Sequence, residues 1–201
     1  MTRARLPRAV RGLVMSRLTL LLVMMGLLSA CSSATLRLMP TPTLLTQGEP
    51  TLFDTGSVSA RSTAIEVLYA TNRLPLGSSD KRSYSRTRSA DLRLGVATLR
   101  VGDGTKTWES LQAMSTSAVE GERPEISLIA AREMAVLEAD ASAAGPDAEA
   151  FFALVDELLA RSGDRDLLIY LHGARTDFDR AAAQAAQFQH FMGPDTVVMV
   201  F

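Results

Sequence analysis

This chain is sparing with residues that carry acyl-transfer, metal or redox chemistry: it has two histidines, His172 and His190, and one cysteine, Cys31. Only one stretch gives such a residue a chemically suggestive setting. Leu167 to Thr176 reads L-L-I-Y-L-H-G-A-R-T and changes from a buried-strand pattern to a helix start within a few residues. Leu167 to Leu171 form a continuous apolar run of strand length, as expected for a strand covered on both faces in a parallel sheet. His172-Gly173 breaks the run. Thr176 is the expected N-cap, its hydroxyl accepting from the Asp179 N–H, while the Asp179 carboxylate sits in the first turn where the helix dipole favours negative charge. On these residues alone, the His-Gly pair is equally a plain strand-to-helix turn or part of a site at the end of a strand.

The elements that must position this turn follow from periodicity. Phe178, Ala181, Ala185, Phe188 and Met192 recur at spacings of three and four, an apolar helical stripe, and Gly193-Pro194 is a helix stop. Val197 to Phe201 is again continuous and apolar. The reading is a β-(His-Gly)-α-β unit with its two strands parallel, and hence an α/β fold. Upstream, Ile65 to Ala70 reads as the first core strand, and Leu92 to Val101 as a second with imperfect alternation. Ile126 to Glu138 mixes β-branched residues with helix formers and leans toward strand. Pro146 suits a first helical position, and Phe151, Phe152, Val155, Leu158 and Leu159 form the stripe of a helix ending at Ser162-Gly163. Four arginines and a lysine fall between Lys81 and Arg93. In a polar stretch from Ser78 to Ser89, they read as a solvated loop rather than an anion site. Gly102-Asp103-Gly104 is a tight turn with no Lys-Ser/Thr helix start behind it, which argues against a phosphate loop. No cofactor and no metal ligand set is expected.

The N-terminus carries an address. Arg3, Arg5, Arg8, Arg11 and Arg17 form a basic region without an acid, and Leu18 to Leu28 is an apolar run too short to span a bilayer comfortably. Residues 1–30 therefore read as a signal peptide. Met15 begins a shorter version of the same signal, so either start leads to one mature protein. Leu28-Ser29-Ala30-Cys31 resembles the lipobox of bacterial lipoproteins, which makes Cys31 the lipidated residue and the membrane the partner. Since Cys31 is the only thiol, no structural disulfide is expected. Ser32, where an aspartate would signal inner-membrane retention, leans toward the outer membrane of the cell envelope. Residues 31–60, with Pro40, Pro42 and Pro50, form a tether and irregular entry. Leu36, Leu38, Met39, Leu44 and Leu45 are more apolar than a pure linker needs, so part of the tether is expected to pack on the domain, 61–201. The whole chain has 21 basic and 22 acidic residues. Losing the five leader arginines leaves an acidic excess, so a nucleic-acid partner is excluded by charge.

Several stretches together carry a family resemblance: Leu38-Met39-Pro40-Thr41-Pro42 after the lipobox, Leu68-Tyr69-Ala70-Thr71-Asn72-Arg73, Gly102-Asp103-Gly104 with Trp108, and Leu168 to Thr176 with its helix. The chain resembles the N-terminal half of bacterial lipoproteins and exported proteins with an α/β-hydrolase fold whose function is largely unassigned. That resemblance implies a partial α/β-hydrolase sheet and a serine hydrolase acting on an ester or amide. In that fold the loop after the third strand supplies one N–H of the oxyanion hole, which stabilises the charged oxygen of the tetrahedral intermediate. The resemblance places this donor at Ala174. Gly173 lets the backbone approach the substrate, and His172 orients the loop without being the triad base. Similar chains often carry Asn two residues after the Gly, where Arg175 stands here.

Acyl transfer by this fold also needs a nucleophile on a G-x-S-x-G elbow, then an acid and a histidine. None is present: no serine has flanking glycines at that spacing, and His190 lies on the helix, surface or structural. With Phe201 falling in an apolar strand, the expectation is a truncated product, inactive alone, whose remaining machinery is encoded downstream. The competing expectation is a non-enzymatic envelope lipoprotein that acts as a binding or structural module.

Overall fold

The structure is a computed structural model, and it describes residues 36–40, 63–115, 117, 119–140, 143, 145–193 and 195–201. The leader, Cys31, most of the tether and Pro194 lie outside the described residues. Among the described residues the fold is mixed α/β: a five-stranded sheet in the order β3-β2-β1-β5-β4 and three α-helices. Its strands are β1 (Ala64–Leu76), β2 (Ser83–Val101), β3 (Ile126–Leu137), β4 (Leu167–Tyr170) and β5 (Val197–Val200). The helices are α1 (Trp108–Ser115), α2 (Pro146–Arg161) and α3 (Phe178–Met192). β1 to β3 form an antiparallel meander, and β5 joins β1 and β4 in parallel. The β4-α3-β5 unit is thus the parallel crossover that the apolar runs imply.

Alternation along β1 sorts the core into two layers. Ile65, Val67 and Tyr69 pack with Leu99, Val198 and the alanines of α3, while Leu68 and Ala70 pack with Leu94, Val96 and the Phe151 and Val155 of α2. A strand buried on both faces needs apolar residues at every position, and Val67 to Ala70 supply them. α3 is more enclosed than a single stripe predicts. Ala181, Ala182, Ala183, Ala185 and Ala186 are all buried, because small side chains let the helix sit close to the sheet, whereas Met192 is exposed. In α2, Phe151 is fully buried and its neighbour Phe152 is exposed.

Part of the tether packs on this domain. Leu38 is fully buried, and Leu36 to Leu38 are tied to the start of β3 by Leu38 N–H to Pro124 O at 2.9 Å and Ile126 N–H to Leu36 O at 2.9 Å.

Three expectations are corrected. The polar stretch Ser78 to Ser89 is no loop beyond Arg82: Ser83 to Ser89 belong to β2, paired with the second half of β1 in an extended hairpin. Buried Tyr84 anchors it, its ring against Phe178 at 4.6 Å between centroids. β4 is not covered on both faces. Among the described residues it is the sheet edge, since β5 inserts between it and β1, and Ile169 is 54% exposed. The α3 N-cap is Asp177 rather than Thr176: Asp177 Oδ1 accepts from the Arg180 N–H at 2.9 Å. α1 was not legible from periodicity at all; it is a two-turn helix that places Leu111 in the core.

Tyr69, Tyr84, Arg82, Arg93 and Glu133 form a polar network across β1, β2 and β3. Tyr69 and Tyr84 hydroxyls meet at 2.8 Å, Tyr84 donates to Glu133 Oε2 at 3.0 Å, and Arg82 and Arg93 pair with Glu133 at 2.9 and 3.3 Å. Burial pushes the Tyr69 phenol up to about 12 and the Tyr84 phenol higher still. Burial also pushes the Glu133 carboxyl up, but hydrogen bonds from Arg82 and Tyr84 and the charges of Arg82 and Arg93 outweigh it, leaving Glu133 below its ordinary value. Gly95 makes room for this network, since a Cβ there would run into Arg132 O and the Tyr69 ring.

Candidate functional site

The carboxyl ends of the parallel strands are where open α/β sheets take ligands. Here β5 and β4 end, and β1 passes, beside a cleft of about 430 Å³. It is lined by Thr71 and Asn72 of β1, by the loop Leu171 to Thr176, and by Arg73, Arg86 and Arg88 of the β1–β2 hairpin. The loop expected to carry the chemistry therefore shares a cleft with a hairpin that local sequence reading assigned to solvent.

The loop is held from both ends. His172 N–H donates to Phe201 O at 3.2 Å and Phe201 N–H to Tyr170 O at 2.9 Å, which continues the β4–β5 ladder. Arg73, 9% exposed, sends Nη2 to Thr176 O at 2.6 Å and to His172 Nε2 at 3.2 Å. A guanidinium has only donors, so Nε2 accepts, and the ring proton sits on Nδ1 and is donated to Gly173 O at 2.9 Å. Both His172 nitrogens are thereby engaged. The ring braces the loop and has no free lone pair for a base. Burial lowers the Arg73 guanidinium below its ordinary value, opposed by Asp177 and reinforced by Arg88 and Arg86; arginine stays charged regardless.

That bracing has a consequence at Ala174. The Gly173 carbonyl and the Ala174 N–H share one trans peptide plane and point in opposite directions. Fixing Gly173 O on the His172 ring therefore aims the Ala174 N–H away from the ring. Ala174 is exposed to the cleft, and its N–H has no acceptor among the described residues. A Cβ at Gly173 would meet nothing within 4 Å, so packing within this chain does not demand glycine there. Arg175 follows with φ 64°, a left-handed conformation that favours Gly or Asn over a long side chain.

The structure brings His172, Gly173 and Ala174 to one cleft and adds Arg73, which sequence reading had placed at the end of a strand without a role. The signal was thin: an arginine in an otherwise apolar β-rich run. His190, by contrast, is buried and away from this cleft, not on the surface. Burial pushes its imidazole down to about 4. Among the described residues no group of three or more His, Cys, Asp or Glu could hold a metal ion, and no helix is long and apolar enough to cross a membrane.

Fold and site thus define a mixed α/β protein with a braced strand-to-helix loop over an arginine-lined cleft. Comparison with family models, curated proteins and solved structures finds no match to this chain.

Proposed function

We propose that this chain forms the first half of the catalytic domain of a lipid-anchored serine hydrolase of the cell envelope, held to the membrane through Cys31. In this reading the sheet is the N-terminal part of an α/β-hydrolase sheet, and the loop after β4 contributes one oxyanion donor, the Ala174 N–H. The observation that carries the reading is the unpartnered Ala174 N–H at the mouth of the cleft, its direction set through Gly173 O by His172 and, behind it, Arg73.

The chemistry is acyl transfer to water. A serine oxygen attacks the ester or amide carbonyl, the carbonyl oxygen becomes an oxyanion, and the leaving group departs with a proton from the base; water then releases the acyl group. A single preorganised oxyanion donor contributes on the order of 10²–10³ in kcat. No G-x-S-x-G occurs in these 201 residues, so in this reading the serine elbow and its acid and base are supplied from outside them.

The test is to read the nucleotide sequence past the Phe201 codon in all frames for a G-x-S-x-G or H-S-x-G elbow within roughly 60 residues, the length of about one further αβ unit. The joined protein is expected to label with a fluorophosphonate and this chain not to. A downstream region with no such elbow removes the enzyme reading and leaves an envelope lipoprotein.

A further inference from the structure

Arg73 of β1 and Arg88 of β2 are direct cross-strand partners, and like charges in that relation repel. The pairing falls where the β1–β2 register is irregular on both sides, between Thr71 and Arg73 and between Arg73 and Pro75, and such irregularities commonly re-aim side chains next to sites. Arg86, within the irregular part of β2, and Arg88 both line the cleft. Arg175 also lines it, in its left-handed conformation.

Outside the cleft some arginines of this fold are neutralised, while Arg100, Arg123, Arg132, Arg165 and Arg180 form no ion pair among the described residues. Arg82, just before β2, and Arg93 of β2 share the enclosed Glu133, and Arg37 pairs with Glu125. At the cleft the balance fails. No Asp or Glu lines it, and the one carboxylate at its rim, Asp177, reaches Arg86 at 3.5 Å. Arg88 and Arg175 form no ion pair among the described residues. A cross-strand pair of like charges and a long side chain in a strained backbone conformation each cost stability, and departures of this kind concentrate at functional sites. The acidic excess of the mature chain speaks against a polyanion as the natural occupant. The cleft's volume is that of a small-molecule site.

We propose that this cleft binds the oxyanion group, carboxylate or phosphate, of a small acyl substrate, with Arg73, Arg86, Arg88 and Arg175 as the binding residues. Arg73 holds the loop with Nη2 and offers its remaining N–H groups to the anion. Arg86, Arg88 and Arg175 close around it, and the scissile carbonyl of the same molecule then lies toward the Ala174 N–H. The word substrate rests on the hydrolase reading; anion binding does not.

The experiment uses the full chain carrying Cys31→Ser in an uncharged maltoside detergent, titrated with inorganic phosphate and separately with succinate at constant ionic strength. Binding is followed by calorimetry and by the amide resonances of Gly173 to Thr176. The expected result is saturable one-site binding of at least one anion, with the Ala174 and Arg175 amides shifting, and the tighter anion names the group. The double variant Arg88→Gln/Arg175→Gln is expected to weaken binding about tenfold or more, as loss of charge-assisted contacts should. Arg100→Gln, at a different cleft, is expected to leave it within about twofold, since a distant charge acts only through screened electrostatics. The spectral dispersion of each variant reports that it is folded. Non-saturable binding of both anions, or equal weakening by Arg100→Gln, overturns the proposal. Missing hydrolase elements downstream with intact anion binding would sink only the enzyme reading, and a labelled serine without anion binding only this one.

Discussion

The Arg73 guanidinium reaches His172 Nε2 at 3.2 Å across 99 residues of chain, and through that contact the first strand of the sheet sets the orientation of the loop after the fourth. The same Nη2 holds Thr176 O, so both ends of the loop answer to one side chain. Arg73→Met should release it. Amide exchange of His172, whose N–H donates to Phe201 O, is expected to speed up by tenfold or more, about 1.4 kcal/mol of lost local protection. Unchanged protection of this amide in a folded variant would show that the loop holds itself.

Arg175 at φ 64° carries a local cost that a different residue can remove. Arg175→Asn should raise stability by about 0.5–1 kcal/mol in urea unfolding, because Asn tolerates the left-handed region better. A loss of stability would mean that the arginine makes a compensating contact.

His190 makes stability depend on pH. Its folded value of about 4 lies below the ordinary 6.5, so between these values the unfolded chain binds the extra proton. Stability is therefore full above about pH 6.5 and falls as the pH drops toward 4, by on the order of 3 kcal/mol. His190→Leu should flatten this segment of the stability profile whatever it does to stability at pH 8. A slope that survives the substitution would assign the dependence to another group.

Glu133 is the acid that pairs with both Arg82 and Arg93. Glu133→Gln leaves two guanidinium groups partly enclosed without their counter-charge, and a loss of about 3 kcal/mol is expected. Because the carboxyl lies below its ordinary value in the folded protein, wild type should lose the same contribution only as the pH falls below about 4.3 and through that lower folded value. Tyr84→Phe removes one donor to Glu133 and should cost less, about 1 kcal/mol. Equal losses for the two variants would contradict the assignment of the main contribution to the ion pairs.

Asp177 caps α3 through the Arg180 N–H at 2.9 Å. Asp177→Ala should cost about 1 kcal/mol, and Thr176→Ala only a few tenths. The reverse order would restore the cap to Thr176.

The cap shows where local reading stops. Both Thr176 and Asp177 are good capping residues, and their neighbours do not distinguish them; Arg73, arriving from another strand, binds Thr176 O. The arginines between Arg82 and Arg93 show the same limit. By composition they are one polar run, yet Arg82 and Arg93 end at Glu133 while Arg86 and Arg88 end at a cleft.

What the sequence determined by itself is what neighbours in the chain decide. Apolar runs and periodicity set α2, α3, β4, β5 and the inner parts of β1 and β2, glycine ended α3 at Gly193, and the order strand, His-Gly, helix, strand set a parallel unit. What only the tertiary structure decided is which strand lies beside which. β5 between β1 and β4 makes β4 an edge among the described residues, and the β1–β2 register sets Arg73 opposite Arg88 and beside His172. Register is chosen by burial of the whole sheet face, a sum over residues distant in the chain, so no local pattern at Arg73 could have announced its partners.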